Sequence, residues 1–411
     1  MKIEADAHEL GFDTNRLARI SSHFQGYVDQ GLLPGWQLVV SRGGQVVYHD
    51  TYGQRDIENG LPIESDSLYR IYSMTKPIAT VAAMMLYEEG RFKLKDEVAS
   101  FIPSFADQRV YRSGASTNPT TEGITSPMQI WHLMTHTSGL TYGFLNAHPV
   151  DAMYRAAGFE WGNPPGADLE ACTDIWAGLP LLFQPGTEWN YSNSTDVLGR
   201  LVEVVSGQAL DVFMQERIFE PLGMTDTAFY ADEARRERLG ALYIPDPDPA
   251  NGKKAMRMDL MGNAALTEPA MFSGGGGLVS TAADYHRFTQ MLLNGGELDG
   301  VRLLGSRTVK YMASNHLPGN AELAQFGRPL FSETDFEGMG FGLGGSVVID
   351  PAATKVLSSK GEFAWGGAAS TAFWVDPVEE ITALFFTQLL PSSTHAIRPE
   401  FKQLVYQALV D

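Results

Sequence analysis

The chain is poor in cysteine, poor in positive charge and without a long apolar run. Cys172 is its one cysteine, so no disulfide can close within the chain. No catalytic-cysteine motif surrounds it, and it reads as a small buried apolar residue. Against 49 acidic residues stand 30 basic ones, a formal charge of −19. A chain of that sign lacks the basic face that a phosphate backbone requires, and it is ill suited to an anionic membrane surface. Beyond that the charge names no partner, because acidic surfaces mostly serve solubility. The longest apolar run, just after Ser73, is too short and too interrupted to span a bilayer. Met1 to Leu10 is polar and acidic, without the basic n-region and apolar h-region of a secretory signal. These absences predict a soluble, cytoplasmic protein with no nucleic-acid partner and no membrane partner. A homodimer is compatible with the sequence.

Several motifs are missing too. The elbow G-x-S-x-G of α/β-hydrolases occurs nowhere. Gly274 to Gly277 lacks the G-K-[ST] of a phosphate loop and the spacing of a dinucleotide loop; it reads as a tight backbone crossing near an active site. His132 and His136 stand four apart, as in a zinc pair. Leu133, however, occupies the place of the glutamate in H-E-x-x-H, and no third ligand lies nearby in sequence. No metal and no cofactor are expected.

What is present is ordinary globular composition, 44% hydrophobic and 19% charged, in a chain long enough for one large or two medium domains. Asp13 to Gln30 has an apolar stripe of Leu17, Ile20, Phe24, Tyr27 and Val28, an amphipathic helix that Asp13 or Thr14 can cap. Gln37 to Ser41 and Gln45 to Tyr52 flank Gly43-Gly44, a hairpin signal. Ser67 to Tyr72 reads as a short extended piece, and Ser73 to Glu89 as a helix apolar nearly all round, hence central and buried. From Lys93 to Ser280 helical patterns dominate, at Pro127 to His136, Thr195 to Val205 and Ala209 to Phe219. Arg112 to Ser126, Glu160 to Leu169 and Asp246 to Lys253 read as surface loops. Another helix runs from Ala282 to Leu293. β character returns at Gly342 to Asp350, Ala369 to Val375 and Ile381 to Gln388, and Arg398 to Val410 is helical. The pattern predicts an α/β (α+β) fold. Residues 1–92 and 281–411 form a domain around an antiparallel sheet flanked by helices, a mainly α-helical domain of residues 93–280 is inserted, and the active site lies between them.

Three short motifs carry chemistry. Ser73-Met74-Thr75-Lys76 is the one S-x-x-K in the chain. Residues three apart on a helix share a face, so the serine hydroxyl and the lysine ammonium can converge. A serine needs such a neighbour to take its proton. Tyr191-Ser192-Asn193 is the one Y-x-N, just before a helix. Trp365-Gly366-Gly367-Ala368 precedes the strand expected from Ala369, and its glycines permit close approach to backbone.

S-x-x-K, Y-x-N and a late glycine-rich triplet, in this order, resemble the serine β-lactamases of class C and their penicillin-binding relatives. His136-Thr137-Ser138-Gly139-Leu140, Pro221-Leu222-Gly223-Met224 and Gly275 to Thr281 are similar to connecting motifs of that superfamily. Lactamases carry K-T-G on the late strand, where a lysine holds the substrate carboxylate. Trp365-Gly366-Gly367 replaces that cation with an indole and resembles the family VIII carboxylesterases. The resemblance implies a β-lactamase-like fold and a cofactor-free serine esterase acting on a small-molecule ester. It implies Ser73 as the nucleophile and Lys76 and Tyr191 as the proton-transfer pair, the formal base left open. Asn193 would orient Lys76 or contact the acyl group. The backbone N–H groups of Ser73 and Ala368 would form the oxyanion hole, beside Trp365, Gly366 and Gly367, with Tyr142 as a further wall. A β-lactam hydrolase or an acyltransferase would use the same nucleophile. A non-catalytic binding module would be expected to lose Ser73, Lys76 or Tyr191, and all three are present.

Overall fold

The computed structural model describes residues 1–328 and 336–410. Its centre is an eight-stranded antiparallel sheet built from both ends of the chain. The N-terminal part supplies β1 (Gly35–Arg42), β2 (Gln45–Asp56) and β3 (Leu61–Pro62); the C-terminal part supplies β4 (Met339–Phe341), β5 (Ser346–Val348), β6 (Phe363–Gly366), β7 (Ala372–Asp376) and β8 (Ile381–Phe386). The strand order is β4-β5-β6-β7-β8-β1-β2-β3. The seam between the two contributions is the β1–β8 pair, running from Gln37 opposite Phe386 to Arg42 opposite Ile381.

Strand side chains alternate between faces, and this alternation divides the core in two. Trp36, Leu38, Val40, Trp374 and Phe385 face α1 (Thr14–Asp29) and the C-terminal helix, where Leu17, Ile20, Phe24, Phe401 and Val405 pack on them. Val39, Phe373, Val375, Leu384 and Phe386 face the other way, into the larger core. That core contains α2 (Thr75–Glu88), whose residues from Thr75 to Leu86 are all buried. A helix with no polar face has to be central, and α2 packs against α3 (Ser194–Ser206). Next to the sheet lies α4 (Ala282–Leu293), with Tyr285 and Phe288 buried. The last helix, α5 (Ile397–Tyr406), completes the outer layer.

Several expectations shift in register or kind. The helix expected from Ser73 begins at Thr75, and Ser73 sits in a 3₁₀ turn, Tyr72–Met74. The helical pattern of Pro127 to His136 yields only Ile130–Met134. The region read as one strand from Gly342 to Asp350 is broken by its glycines. Leu343 N–H donates to the Met312 carbonyl and Gly344 N–H to the Met134 carbonyl, so β4 and β5 are separate. Trp365 and Gly366 lie on a strand of their own, β6, and a tight turn leads from them to β7. Arg112 to Ser126 is not a loop but most of a hairpin, Arg109–Ala115 paired with Asn118–Gly123. Only Val110 of that hairpin is buried, so main-chain pairing holds a ladder whose side chains carry no apolar alternation. A second hairpin pairs Tyr243–Pro245 with Ala255–Arg257. Pro318 to Glu337, which also reads as a loop in sequence, holds a 3₁₀ turn, Pro318–Asn320, and a short helix, Leu323–Phe326, while its residues 329–335 lie outside the described residues.

One buried ion pair ties α5 to the sheet. Glu362 has no solvent exposure and meets Lys402 Nζ in a close salt bridge, while Tyr406 Oη donates to its other oxygen at 3.0 Å. Removing one partner of such a pair strands a buried charge. Lys402→Met is therefore expected to lower unfolding free energy by about 3–5 kcal/mol, measured as a lower urea midpoint at unchanged m value. An unchanged midpoint would show that the pair carries no stability.

Candidate active site

The turn Tyr72–Met74 is held from several sides. Strand Leu68–Arg70 pairs antiparallel with Val279–Thr281, and Ile71 N–H donates to the Leu278 carbonyl at 3.0 Å. Tyr285 Oη donates to the Met74 carbonyl at 2.9 Å. Tyr72 itself takes φ of +42°, a conformation that costs of order 1–3 kcal/mol in a residue with a Cβ. The residue before Ser73 is thus strained, and the packing around it maintains the strain.

Three side chains from two segments meet at one oxygen. Tyr191 Oη donates to Ser73 Oγ at 2.6 Å, and Lys76 Nζ donates to the same atom at 3.2 Å. Lys76 is 1% exposed, and its second hydrogen bond, at 2.6 Å, goes to the Gly275 carbonyl. Its ammonium also lies 4.5 Å from the Tyr191 ring centroid and 5.5 Å from that of Tyr142. An ammonium over aromatic faces keeps favourable electrostatics with little water.

Tyr191 is boxed by aromatic rings. His136 lies 4.9 Å away, Tyr142 5.4 Å, Trp365 5.6 Å and Trp189 6.2 Å, between ring centroids. Trp365 Nε1 points at Tyr191 Oη from 3.4 Å. Ser73, Trp365, Gly366, Gly367 and Ala368 line one cavity of about 340 Å³, with Phe336 and Met339 adding apolar wall. A Cβ on Gly367 would collide with the Ile71 carbonyl and Thr371 Oγ1, so only glycine lets this turn reach the Ser73 segment. The amides of Ser73 and Ala368 have no acceptor among the described residues.

Asn193 is the one expected site residue that turns elsewhere. With its amide oriented to satisfy both ends, its oxygen accepts from Trp176 Nε1 at 3.0 Å and its nitrogen donates to the Thr141 carbonyl at 3.3 Å. Among the described residues no hydrogen bond joins it to Lys76. Tyr142 packs on the Tyr191 ring and under Lys76, and burial, then the charge of Asp196, push its phenol well above the ordinary value.

Sequence reading missed the support behind Lys76. Asp196, in the first turn of α3, is buried; its Oδ1 accepts from Ser273 Oγ at 2.5 Å and from Gly275 N–H at 2.9 Å. Burial raises its carboxyl, while those donors and Lys76 pull it back down. Asp196 thereby fixes the backbone whose carbonyl fixes Lys76. The only hint in sequence was the run of glycines at Gly274 to Gly277. A Cβ on Gly275 would stand 2.5 Å from Asp196 Oδ2. Gly275→Ala is expected to move the carbonyl that anchors Lys76 and to lower kcat toward ~10²-fold, the scale of an ångström of misplacement. A steady-state rate within twofold of wild type, with the fold intact by circular dichroism, would contradict this.

The two histidines are structural. His132 Nδ1 accepts from Gln129 N–H at 2.9 Å, capping Ile130–Met134. His136 pairs through Nδ1 with Ser192 Oγ at 3.0 Å, and burial and then Lys76 hold its imidazole well below the ordinary range. Cys172 is buried, its thiol pushed up to about 12 mainly by burial. Burial lowers His132 to about 4. Between that value and the unfolded one near 6.5, the unfolded chain binds the extra proton, so stability falls as pH drops through this window. Urea unfolding measured from pH 7 to 4 is expected to show this decline, and His132→Asn to make it shallower. An unchanged slope would show that His132 is not held neutral.

With this geometry in place, the class is clear: a β-lactamase-like serine hydrolase fold, mixed helices on an antiparallel sheet with the serine at the head of the central helix. The Beta-lactamase family matches residues 20–407, and the chain belongs to it. Protein Rv1367c of Mycobacterium tuberculosis (strain ATCC 25618 / H37Rv) is 36% identical over 367 residues, 88% of each chain. Esterase EstB of Burkholderia gladioli is 30% identical over 382 residues, 90% of each chain. The solved structure of EstCE1, a hydrolase with promiscuous acyltransferase activity, superposes with a TM-score of 0.78 at 25% identity. It covers 97% of this chain and 98% of its own. These likenesses support a family VIII-type esterase within the superfamily and, more broadly, a serine hydrolase or acyltransferase. Among the described residues, no helix is long and apolar enough to cross a membrane.

Proposed function

We propose that the chain is a serine esterase that hydrolyses short-chain carboxylic esters through an acyl-enzyme on Ser73. The observation that carries this reading is the 2.6 Å contact between Tyr191 Oη and Ser73 Oγ, with Lys76 Nζ 3.2 Å from the same oxygen. In the reactive form the Tyr191–Lys76 pair carries one proton fewer than a phenol and an ammonium together, and as Ser73 Oγ attacks the ester carbonyl its proton passes to that vacant place on the pair. The pair returns a proton to the departing alkoxide, so the alcohol leaves neutral. Water then attacks the acyl-enzyme with the pair again accepting the proton, and Ser73 is restored. General acid–base steps of this kind contribute roughly 10²–10⁴-fold. The amides of Ser73 and Ala368 receive the oxyanion.

Two features support the substrate class. A cavity of about 340 Å³ stands at the small end of the roughly 300–1,000 Å³ range of ligand pockets, which suits a short acyl group. Trp365 stands where the lactamases carry a cation, and its indole offers a flat apolar wall instead. Acyl transfer is the second reading. It uses the same acyl-enzyme with an alcohol in place of water, and the resemblance to EstCE1 favours keeping it.

The test compares turnover of nitrophenyl esters of increasing chain length with that of a chromogenic cephalosporin. Ester turnover is expected to exceed lactam turnover and to fall with chain length. Ser73→Ala should abolish it, and Tyr191→Phe should reduce kcat by roughly 10²–10⁴. Ester hydrolysis that survives Ser73→Ala, or faster lactam turnover, would overturn the proposal.

A further inference from the structure

Arg398 occupies an unusual place for a cation. It is the second residue of α5, within the first helical turn, where the helix dipole disfavours positive charge. Its guanidinium reaches away from the helix to the turn between β6 and β7. Arg398 Nη2 donates to the Gly367 carbonyl at 2.7 Å and to the Thr371 carbonyl at 3.0 Å. Cζ and Nη2 of Arg398 lie over Gly366, so closely that a Cβ there would overlap them. The turn is otherwise closed by Gly367 N–H to the Thr371 carbonyl at 2.9 Å and Ser370 N–H to the Gly367 carbonyl at 3.1 Å.

The Gly367 carbonyl and the Ala368 N–H are the two ends of one peptide group. The carbonyl end receives two hydrogen bonds, one of them charge-assisted. The N–H end has no acceptor among the described residues and borders the cavity that contains Ser73. A hydrogen bond to a peptide carbonyl draws electron density toward its oxygen and makes the same group's N–H a stronger donor. A cationic donor does this more strongly than a neutral one. We infer that Arg398 is a positioning residue of the oxyanion hole: it holds the Gly367–Ala368 peptide in place and polarises it, so that Ala368 N–H binds the developing oxyanion more tightly. Arg398 lines the same cavity as Ser73, but in this role it acts through the peptide and not by contact with the serine or the substrate carbonyl. The gain falls on the transition state, where the acceptor oxygen carries charge.

This inference rests on the Ser73 acyl-enzyme of the proposed function, and one experiment separates the two. The enzyme is mixed rapidly with a nitrophenyl ester labelled with ¹³C at its carbonyl, and the acyl-enzyme carbonyl stretch is recorded as an isotope-difference infrared band. The stretch reports how strongly the oxyanion hole pulls on the carbonyl oxygen. Wild type, Arg398→Gln and Arg398→Lys are compared, with kcat and KM measured alongside. Arg398→Gln is expected to move the band to higher wavenumber and to lower kcat about tenfold, short of the roughly 10²–10³ that losing a donor outright costs. KM should stay near wild type. Arg398→Lys, which keeps the charge, should recover most of both. Only folded, acylated protein contributes to the band, so its position is independent of folding yield. An unshifted band in Arg398→Gln overturns the inference while leaving the esterase reading intact. An equal shift in Arg398→Lys also overturns it, because the effect would then be one of shape and not of charge. If wild type gives no acyl band that Ser73→Ala removes, the esterase reading falls, and this inference with it.

Discussion

Everything at the site turns on keeping two donors, Tyr191 Oη and Lys76 Nζ, within hydrogen-bond reach of one oxygen, Ser73 Oγ. Neither donor can be left to find its place. Lys76 is buried and anchored by the Gly275 carbonyl, which Asp196 in turn holds through the neighbouring amide. Tyr191 is wedged among His136, Trp189, Tyr142 and Trp365. A buried ammonium is costly unless its donors are satisfied, and here a carbonyl, a hydroxyl and two aromatic faces satisfy it. The aromatic box does the same for the phenol by packing, not by charge.

This constraint explains the architecture around it. Lys76 rides on the first turn of α2, buried from Thr75 to Leu86, and Ser73 on the 3₁₀ turn that leads into it, so their separation is set by continuous helical geometry and held by core packing. The tyrosine arrives on the segment leading into α3, which packs directly on α2. The glycine turn arrives on β6 and β7 of the sheet. A site assembled from helix, helix junction and sheet needs each layer registered against the others. The strained Tyr72, with φ of +42°, shows that the surrounding packing exceeds the local backbone preference beside Ser73.

The backbone is as much a part of the site as the side chains. The Gly275 carbonyl holds Lys76, and the Gly367–Ala368 peptide offers a free N–H to the cavity. Asp196 steadies the first through the adjoining peptide, whose Gly275 N–H it binds, and Arg398 holds the second directly at the Gly367 carbonyl. Glycine at both positions lets backbone come close enough to act as a functional group.

Ser73, Lys76 and Tyr191, which the structure brings together, stood out in the sequence because their signals are local. S-x-x-K is a helix-face spacing, Y-x-N a short unique motif, and the all-apolar run after Ser73 demands a central helix. The seam of the fold was legible in outline, since β-rich segments lay at both ends of the chain. What only the tertiary structure decided depends on contacts with no local signature. Asp196 meets Gly275 across 79 residues, Lys76 meets the Gly275 carbonyl across 199, and Arg398 reaches Gly367 across 31. Asn193 looked like a partner of Lys76 by its place in the motif, but its side chain pairs with Trp176 and Thr141. The hairpin Arg109–Ala115 with Asn118–Gly123 was hidden for another reason, because its ladder is made by main chain and its side chains are mostly polar. Periodicity and spacing therefore picked out the three side chains that meet at one oxygen. Packing alone determined what holds them at the distances that chemistry needs, because hydrogen bonds to backbone are indifferent to residue type and leave no trace in a sequence.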